Sequence, residues 1–187
     1  MREVRNLAES YIVADDSRTI EGYAVVFNSE SIDLGGFTEI IDKDALNGII
    51  ETSDVFCYLN HDEKRGVLAR SNKGKGSLLL EIDEKGLKYA FDAPKTSLGD
   101  ELLEGIKRGD ISASSFAFAC AEDKWEKRSD GSYLRHIKKI KALYDVSPVY
   151  TPAYNATTVD KRGLNKLKEK EKKELDIYYK ELEEKMK

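Results

Sequence analysis

The chain predicts a mainly β fold with flanking helices, of the α+β class, followed by a charged helical tail. Three observations predict it. Several short segments alternate apolar and polar residues, the period of a half-buried strand. Within the first 157 residues, one segment carries a clear helical stripe. The last 30 residues then change character, with ten Lys or Arg against eight Asp or Glu. The expected organisation is therefore a compact body over residues 1–157 and a charged helical tail over residues 158–187.

The elements follow in order. Thr19 to Phe27 reads as a strand, with Tyr23 and Val25 on one face. Phe37 to Ile41 is a short strand, and Asp42 can cap a short helix running through Ile49. Asp54 to Leu59 is a strand that delivers Asn60 and His61 to its end. Leu78, Leu80 and Ile82 alternate within Ser77 to Asp83. After the turn Asp83-Glu-Lys-Gly86, Leu87, Tyr89 and Phe91 alternate likewise, so the two runs form a hairpin. Ser97 to Arg108 is the helix: Ser97 is the expected N-cap, Leu102, Leu103 and Ile106 form the stripe, and Gly109 ends it. Lys107 and Arg108 suit the negative end of its dipole. Strand patterns resume at Ser112 and run, through a turn at Ser129-Asp-Gly131, to about Val149. In the tail, Leu175, Tyr178, Leu182 and Met186 recur at helical spacing.

Bulk properties bound the function. A hydrophobic fraction of 40% supports a core, and 35% charged residues is high. A net charge of −4 gives no broad basic field for nucleic acid. No run of 18 apolar residues offers a membrane span. The first residues lack the apolar stretch of a signal peptide, so a cytoplasmic location is expected. Cys57 and Cys120 lie in apolar runs, where reduced, buried thiols are expected. Neither has metal-ligand spacing, and no metal or cofactor is expected.

Three residue types that make up a nucleophilic hydrolase occur on these strands. On an extended strand, Phe116 and Phe118 share a face with Ser114 and Cys120, while Ser115, Ala117 and Ala119 share the other. The aromatic face can anchor in the core. The small face leaves space above Ser115. Local pattern alone favours an ordinary strand serine, and no Gly-x-Ser-x-Gly elbow is present. His61 is one of two histidines. Imidazole titrates near neutral pH and can take and return a serine proton; a solvent-exposed loop histidine fits the local pattern equally. A third group must orient the imidazole. Asp145 faces away from Tyr144 and Val146, together with Ser147. His136, on a strand pattern after Ser115, is the rival.

At this point the chain resembles the caudovirus prohead serine proteases, the maturation proteases of tailed phages. The words that carry the resemblance are Phe37-Thr-Glu-Ile-Ile41, Tyr58-Leu-Asn-His-Asp62, Gly66-Val-Leu-Ala-Arg70, Gly109-Asp-Ile-Ser-Ala-Ser-Ser-Phe-Ala-Phe118 and Asp145-Val-Ser-Pro-Val-Tyr-Thr-Pro-Ala-Tyr154. They stand in the family's order and spacing, over roughly residues 2 to 160. The family is similar to the herpesvirus assembly proteases, which implies a closed β-barrel with surrounding helices. The resemblance implies His61 as base, Ser115 as nucleophile and Asp145 as acid. Because the herpesvirus enzymes use a second histidine, His136 stays open as third member. Ala117 stands where the family commonly has glycine, and Ser114 where a larger apolar residue is usual. Of the two serines, alternation lets only one enter the site.

The implied activity is a serine endopeptidase acting inside the immature capsid in the host cytoplasm. Implied partners are the scaffold, the scaffolding segment of the major capsid protein, and the protease itself, with a homo-oligomer open. The tail would be a self-cleaved or capsid-docking segment. The alternative is a catalytically silent capsid-assembly protein that keeps a protease-like barrel.

Overall fold

A computed structural model describes residues 2–7, 13–14, 18–150 and 158–185. Its strands are β1 (Glu3–Leu7), β2 (Val13–Ala14), β3 (Thr19–Val26), β4 (Phe37–Ile41), β5 (Asp54–Cys57), β6 (Ala69–Asn72), β7 (Lys75–Gly76), β8 (Leu79–Ile82) and β9 (Gly86–Asp92). Helix α1 (Ser97–Arg108) precedes the two longest strands, β10 (Ala113–Lys127) and β11 (Tyr133–Val149), and α2 (Thr158–Lys185) follows. The chain divides into two units, residues 1–155 and 156–187.

The body holds two sheets. A mixed sheet runs β1-β10-β11-β5-β6-β7, with β4 also on β11. An antiparallel sheet runs β2-β3-β9-β8. Among the described residues these pairings form two sheets, and no closed barrel is found. Both sheets contribute to one core: Ile20, Leu87 and Tyr89 from the smaller pack with Val55, Phe116, Phe118 and Val146 from the larger.

β11 organises the larger sheet. One edge pairs antiparallel with β10 along most of its length. The other edge is shared: β4 runs parallel to its start, Tyr133↔Phe37 through Ile137↔Ile41, and β5 meets its end at Asp145↔Phe56. The expected hairpin is present, with Ile82 paired to Leu87 across its turn. The helix has the expected bounds, but its cap is Thr96, whose hydroxyl accepts from the Gly99 amide. Thr96 holds the extended backbone that an N-cap needs, whereas Ser97 is already helical. Gly109 ends the helix at φ +79°, a conformation that glycine adopts without a Cβ penalty.

The segment after Asp42 is only a 3₁₀ turn, Lys43–Leu46, and the Asp42 side chain caps nothing there. Its carboxylate instead takes Lys138 Nζ at 2.5 Å and faces His136 Nδ1 at 3.3 Å. β1 carries a charged alternation that the sequence reading left unassigned. Glu3 and Arg5 are buried, and they join Glu39 of β4 and Arg135 of β11 in one ion cluster.

α2 is a single helix whose Leu175, Tyr178, Tyr179 and Leu182 are exposed. These positions share one face at helical spacing. The expected fourth member of that stripe, Met186, lies outside the described residues, as do the final Thr-Pro-Ala-Tyr154 residues of the last sequence word.

Candidate active site

Sheet register brings the serine and the acid together. Ala117 of β10 pairs with Asp145 of β11, and Ser115 pairs with Ser147. Ser115 and Asp145 therefore share one face of adjacent strands, offset by two residues. β5 approaches from the other side, with Phe56 opposite Asp145. The chain leaving β5 reaches His61 four residues after Cys57, so the turn at its end delivers the imidazole beside the carboxylate.

That turn is unusual. Asn60 and His61 both adopt left-handed backbone, at φ +54° and +58°. Non-glycine residues rarely do so, and such outliers cluster at functional sites. The turn is secured on both sides. The Asn60 amide donates to the Pro148 carbonyl of β11 at 2.9 Å, and the Asp62 amide donates to Leu59 at 3.1 Å. The Asp62 side chain accepts from the Lys64 amide and caps the 3₁₀ turn Glu63–Arg65. Thus the residues flanking His61 hold the turn, and the imidazole is left to face the strands.

The three side chains form one relay. His61 Nε2 lies 2.5 Å from Ser115 Oγ, and His61 Nδ1 lies 2.5 Å from Asp145 Oδ1. Ser147 donates its hydroxyl to the same Oδ1 at 2.8 Å. Arg2 donates to the other oxygen, Oδ2, at 2.5 Å. Burial pushes the Asp145 carboxyl up, but His61, Ser147 and Arg2 outweigh it and hold the group below its ordinary value of 3.8. Asp145 thus stays a carboxylate although it is fully buried. A carboxylate at Nδ1 favours the tautomer with hydrogen on Nδ1, which leaves Nε2 free to accept a proton.

Ser115 is also wholly buried. The open space expected above it is filled by the imidazole and by the Arg5 carbonyl of β1, 2.7 Å from Oγ. A hydroxyl has one hydrogen, so it can donate to Nε2 or to that carbonyl, not both. Ser114 points to the opposite face, where its hydroxyl meets Tyr89 at 2.7 Å. The rival histidine is elsewhere. His136 lies nine residues before Asp145 on the same strand, about 30 Å away at ~3.3 Å per residue, and it faces Asp42. Arg108, at the end of α1, pairs with Asp110 on the surface. Two groups escaped the sequence reading. The Arg5 carbonyl comes from β1, and Arg2 from the residue just before it, in a stretch whose charged alternation resembles an exposed edge; Ser147, by contrast, was legible from its alternation with Asp145.

Among the described residues, no cluster of His, Cys, Asp or Glu could hold a metal ion. Burial pushes the Cys57 thiol well above its ordinary value, with the Asp145 charge adding to the effect, which suppresses its thiolate. The chemistry offered is a hydroxyl, a base and a fixed carboxylate, the set that activates a serine.

The sequence profile of the caudovirus prohead serine proteases matches residues 5–173. The chain belongs to this family. The chain is also similar in structure to the bacteriophage T4 capsid assembly protease gp21, at 14% identity and a TM-score of 0.43. That likeness covers 80% of this chain and 99% of gp21. No curated protein matches the chain. No helix among the described residues is long and apolar enough to cross a membrane.

Proposed function

We propose that the chain is the maturation endopeptidase of a tailed-phage prohead, with Ser115 as nucleophile, His61 as base and Asp145 as the acid that orients it. The observation that carries this reading is the hydrogen-bonded relay from Ser115 Oγ through both imidazole nitrogens to Asp145.

The reaction is acyl transfer. Ser115 Oγ attacks a peptide carbonyl carbon while its proton passes to His61 Nε2. Asp145 stabilises the imidazolium across Nδ1. The tetrahedral adduct collapses, the C–N bond breaks, and Nε2 returns the proton to the leaving amine. Water then attacks the acyl ester, giving its proton to Nε2, and the carboxylate leaves as Ser115 regains its hydrogen. For the first step the serine hydrogen must lie toward Nε2, so the hydrogen bond to the Arg5 carbonyl has to be given up. Burial of Ser115 makes the described arrangement a closed resting one, and substrate entry requires part of its cover to move.

The substrates that fit the family are the scaffold, the scaffolding segment of the major capsid protein and the protease itself, met inside the immature capsid in the host cytoplasm. Residues 1–157 form the protease body, with a herpesvirus-protease-like barrel as the finer reading of its two sheets. Residues 158–187 form a self-cleaved or docking tail. A fluorophosphonate probe tests the assignment. Labelling of the parent and of Ser114→Ala, with none in Ser115→Ala, is the expected result. Absence of labelling and of capsid-precursor cleavage within proheads would leave a silent assembly protein instead.

A further inference from the structure

β1 and the residue just before it reach the site twice, through the Arg5 carbonyl and through the Arg2 side chain. The second contact has no place in the relay itself. Arg2 spreads its fork across two elements: one nitrogen donates to Asp145 Oδ2 at 2.5 Å and the other to Glu63 Oε1 at 2.8 Å. Asp145 stands on β11. Glu63 belongs to the turn that follows His61. One guanidinium therefore ties the base-bearing turn to the acid-bearing strand. Its planar fork suits two carboxylates at fixed angles, which an ammonium cannot match.

We propose that Arg2 is a positioning residue of the triad, holding the Asp145 carboxylate and the His61 turn in register so that Oδ1 faces Nδ1. This rests on the proteolytic reading of the site. Free rotation of a carboxylate would offer either oxygen to the imidazole. Here Ser147 and His61 share Oδ1, and Arg2 occupies Oδ2, so the plane of the group is fixed from three sides. The anchor beneath Arg2 is firm. The next residues of β1, Glu3 and Arg5, are locked into the buried ion cluster with Glu39 and Arg135. Arg2 itself is partly exposed, at 39% of its side-chain surface, so its replacement leaves the core untouched.

Arg2 is also the cation facing the His61–Asp145 pair. The other titratable groups around that pair are Glu63 and Asp62 from the turn, and Cys57 and Tyr58 from β5 and its end. All four are neutral or anionic. Removing Arg2 thus lets the pair take up a proton more readily. In Arg2→Gln, the acid limb of kcat/KM moves to higher pH. The kcat falls about tenfold with KM nearly unchanged, the signature of an interaction that acts on the chemical step rather than on substrate binding.

The test has an arm that needs no activity. In Ser115→Ala protein, which cannot cleave itself by this route, the Asp145 carboxyl is titrated by carbon NMR with and without Arg2. The expected result is an upward shift in Arg2→Gln and a return toward the parent value in Arg2→Lys, which restores charge without the fork. Lys is expected to restore the acid limb fully and kcat only in part. An Asp145 titration unmoved by Arg2→Gln overturns the inference, as does an Arg2→Lys protein with the full kcat of the parent. If the parent cleaves no peptide, the proteolytic reading fails, yet the carboxyl titration still decides whether Arg2 governs Asp145.

Discussion

Near the start of β11, Arg135 is buried among the carboxylates of Glu3, Glu39 and Asp123. Near its end, Asp145 is buried among an imidazole, a hydroxyl and one guanidinium arm. The two clusters share a sheet, yet their charges are handled differently. At Arg135, full charges of opposite sign answer one another over short, repeated contacts, and Arg5 extends the set. At Asp145, the groups facing the relay are mostly neutral, and the sequence ends on a hydroxyl with a choice of two acceptors. A saturated cluster has nowhere to send a proton. An unsaturated one can move a proton along a single line. Both clusters carry desolvation cost, and on the proposed proteolytic reading only the second gains reactivity from it.

The largest break in this comparison comes from replacing the acid. Asp145→Asn keeps the shape but cannot stabilise an imidazolium, and its amide can favour the wrong tautomer of His61. We expect kcat to fall about 10,000-fold, the scale known for triads that lose this charge, with the fold retained by circular dichroism. A loss below tenfold on a capsid-precursor peptide would remove Asp145 from the relay. The mirror experiment is Glu39→Gln in the ion cluster. It strips one anion from between Arg5 and Arg135 and leaves Glu3 as the buried carboxylate that both guanidinium groups must share. Stability should drop by about 3 kcal/mol, read from urea unfolding, while kcat of the folded fraction holds within about twofold. Neutral unfolding data would mean that the cluster is not compensated as drawn; a large loss of kcat would mean that the two clusters are not separable.

How much of this was legible in the chain follows from the range of each interaction. Ser115 and Asp145 lie on strands whose alternation assigns a face, and alternation is a local property. Ser114 and Ser115 could be told apart for the same reason. His61 was legible as a residue at a strand end, but not its left-handed backbone, which depends on the Asn60 amide finding Pro148. β1 was not legible. Glu-Val-Arg reads as a solvated edge until Glu39 and Arg135, from two other strands, arrive to bury it. The helix was readable to its bounds, yet its cap fell to Thr96, because hydroxyls at neighbouring positions compete and backbone geometry decides. The segment after Asp42 has the pattern of a capped helix but forms only a 3₁₀ turn, because its capping carboxylate is drawn away to Lys138 and His136.

The smallest expected effect sharpens the comparison on the acid side. Asp145 is held below its ordinary value: burial works against the charged form, and His61, Ser147 and Arg2 overcome it. A carboxyl depressed on folding binds fewer protons folded than unfolded, so it adds stability above its unfolded value near 3.8. That contribution declines as pH falls below this value and is gone once the pH has passed the lower, folded one. Other surface carboxylates, Asp54 and Glu101 among them, are also depressed by their arginine partners, so the parent curve alone cannot isolate Asp145. The difference between Ser115→Ala and the double variant Ser115→Ala, Asp145→Asn can. The surface pairs are common to both proteins and cancel. Measured by urea unfolding at stepped pH, the advantage of the aspartate should shrink as the pH drops below the unfolded value near 3.8. An advantage that grows as the pH falls below that value would mean that Asp145 enters the folded state already protonated. The relay would then lack the anion that separates it from the saturated cluster at the other end of β11.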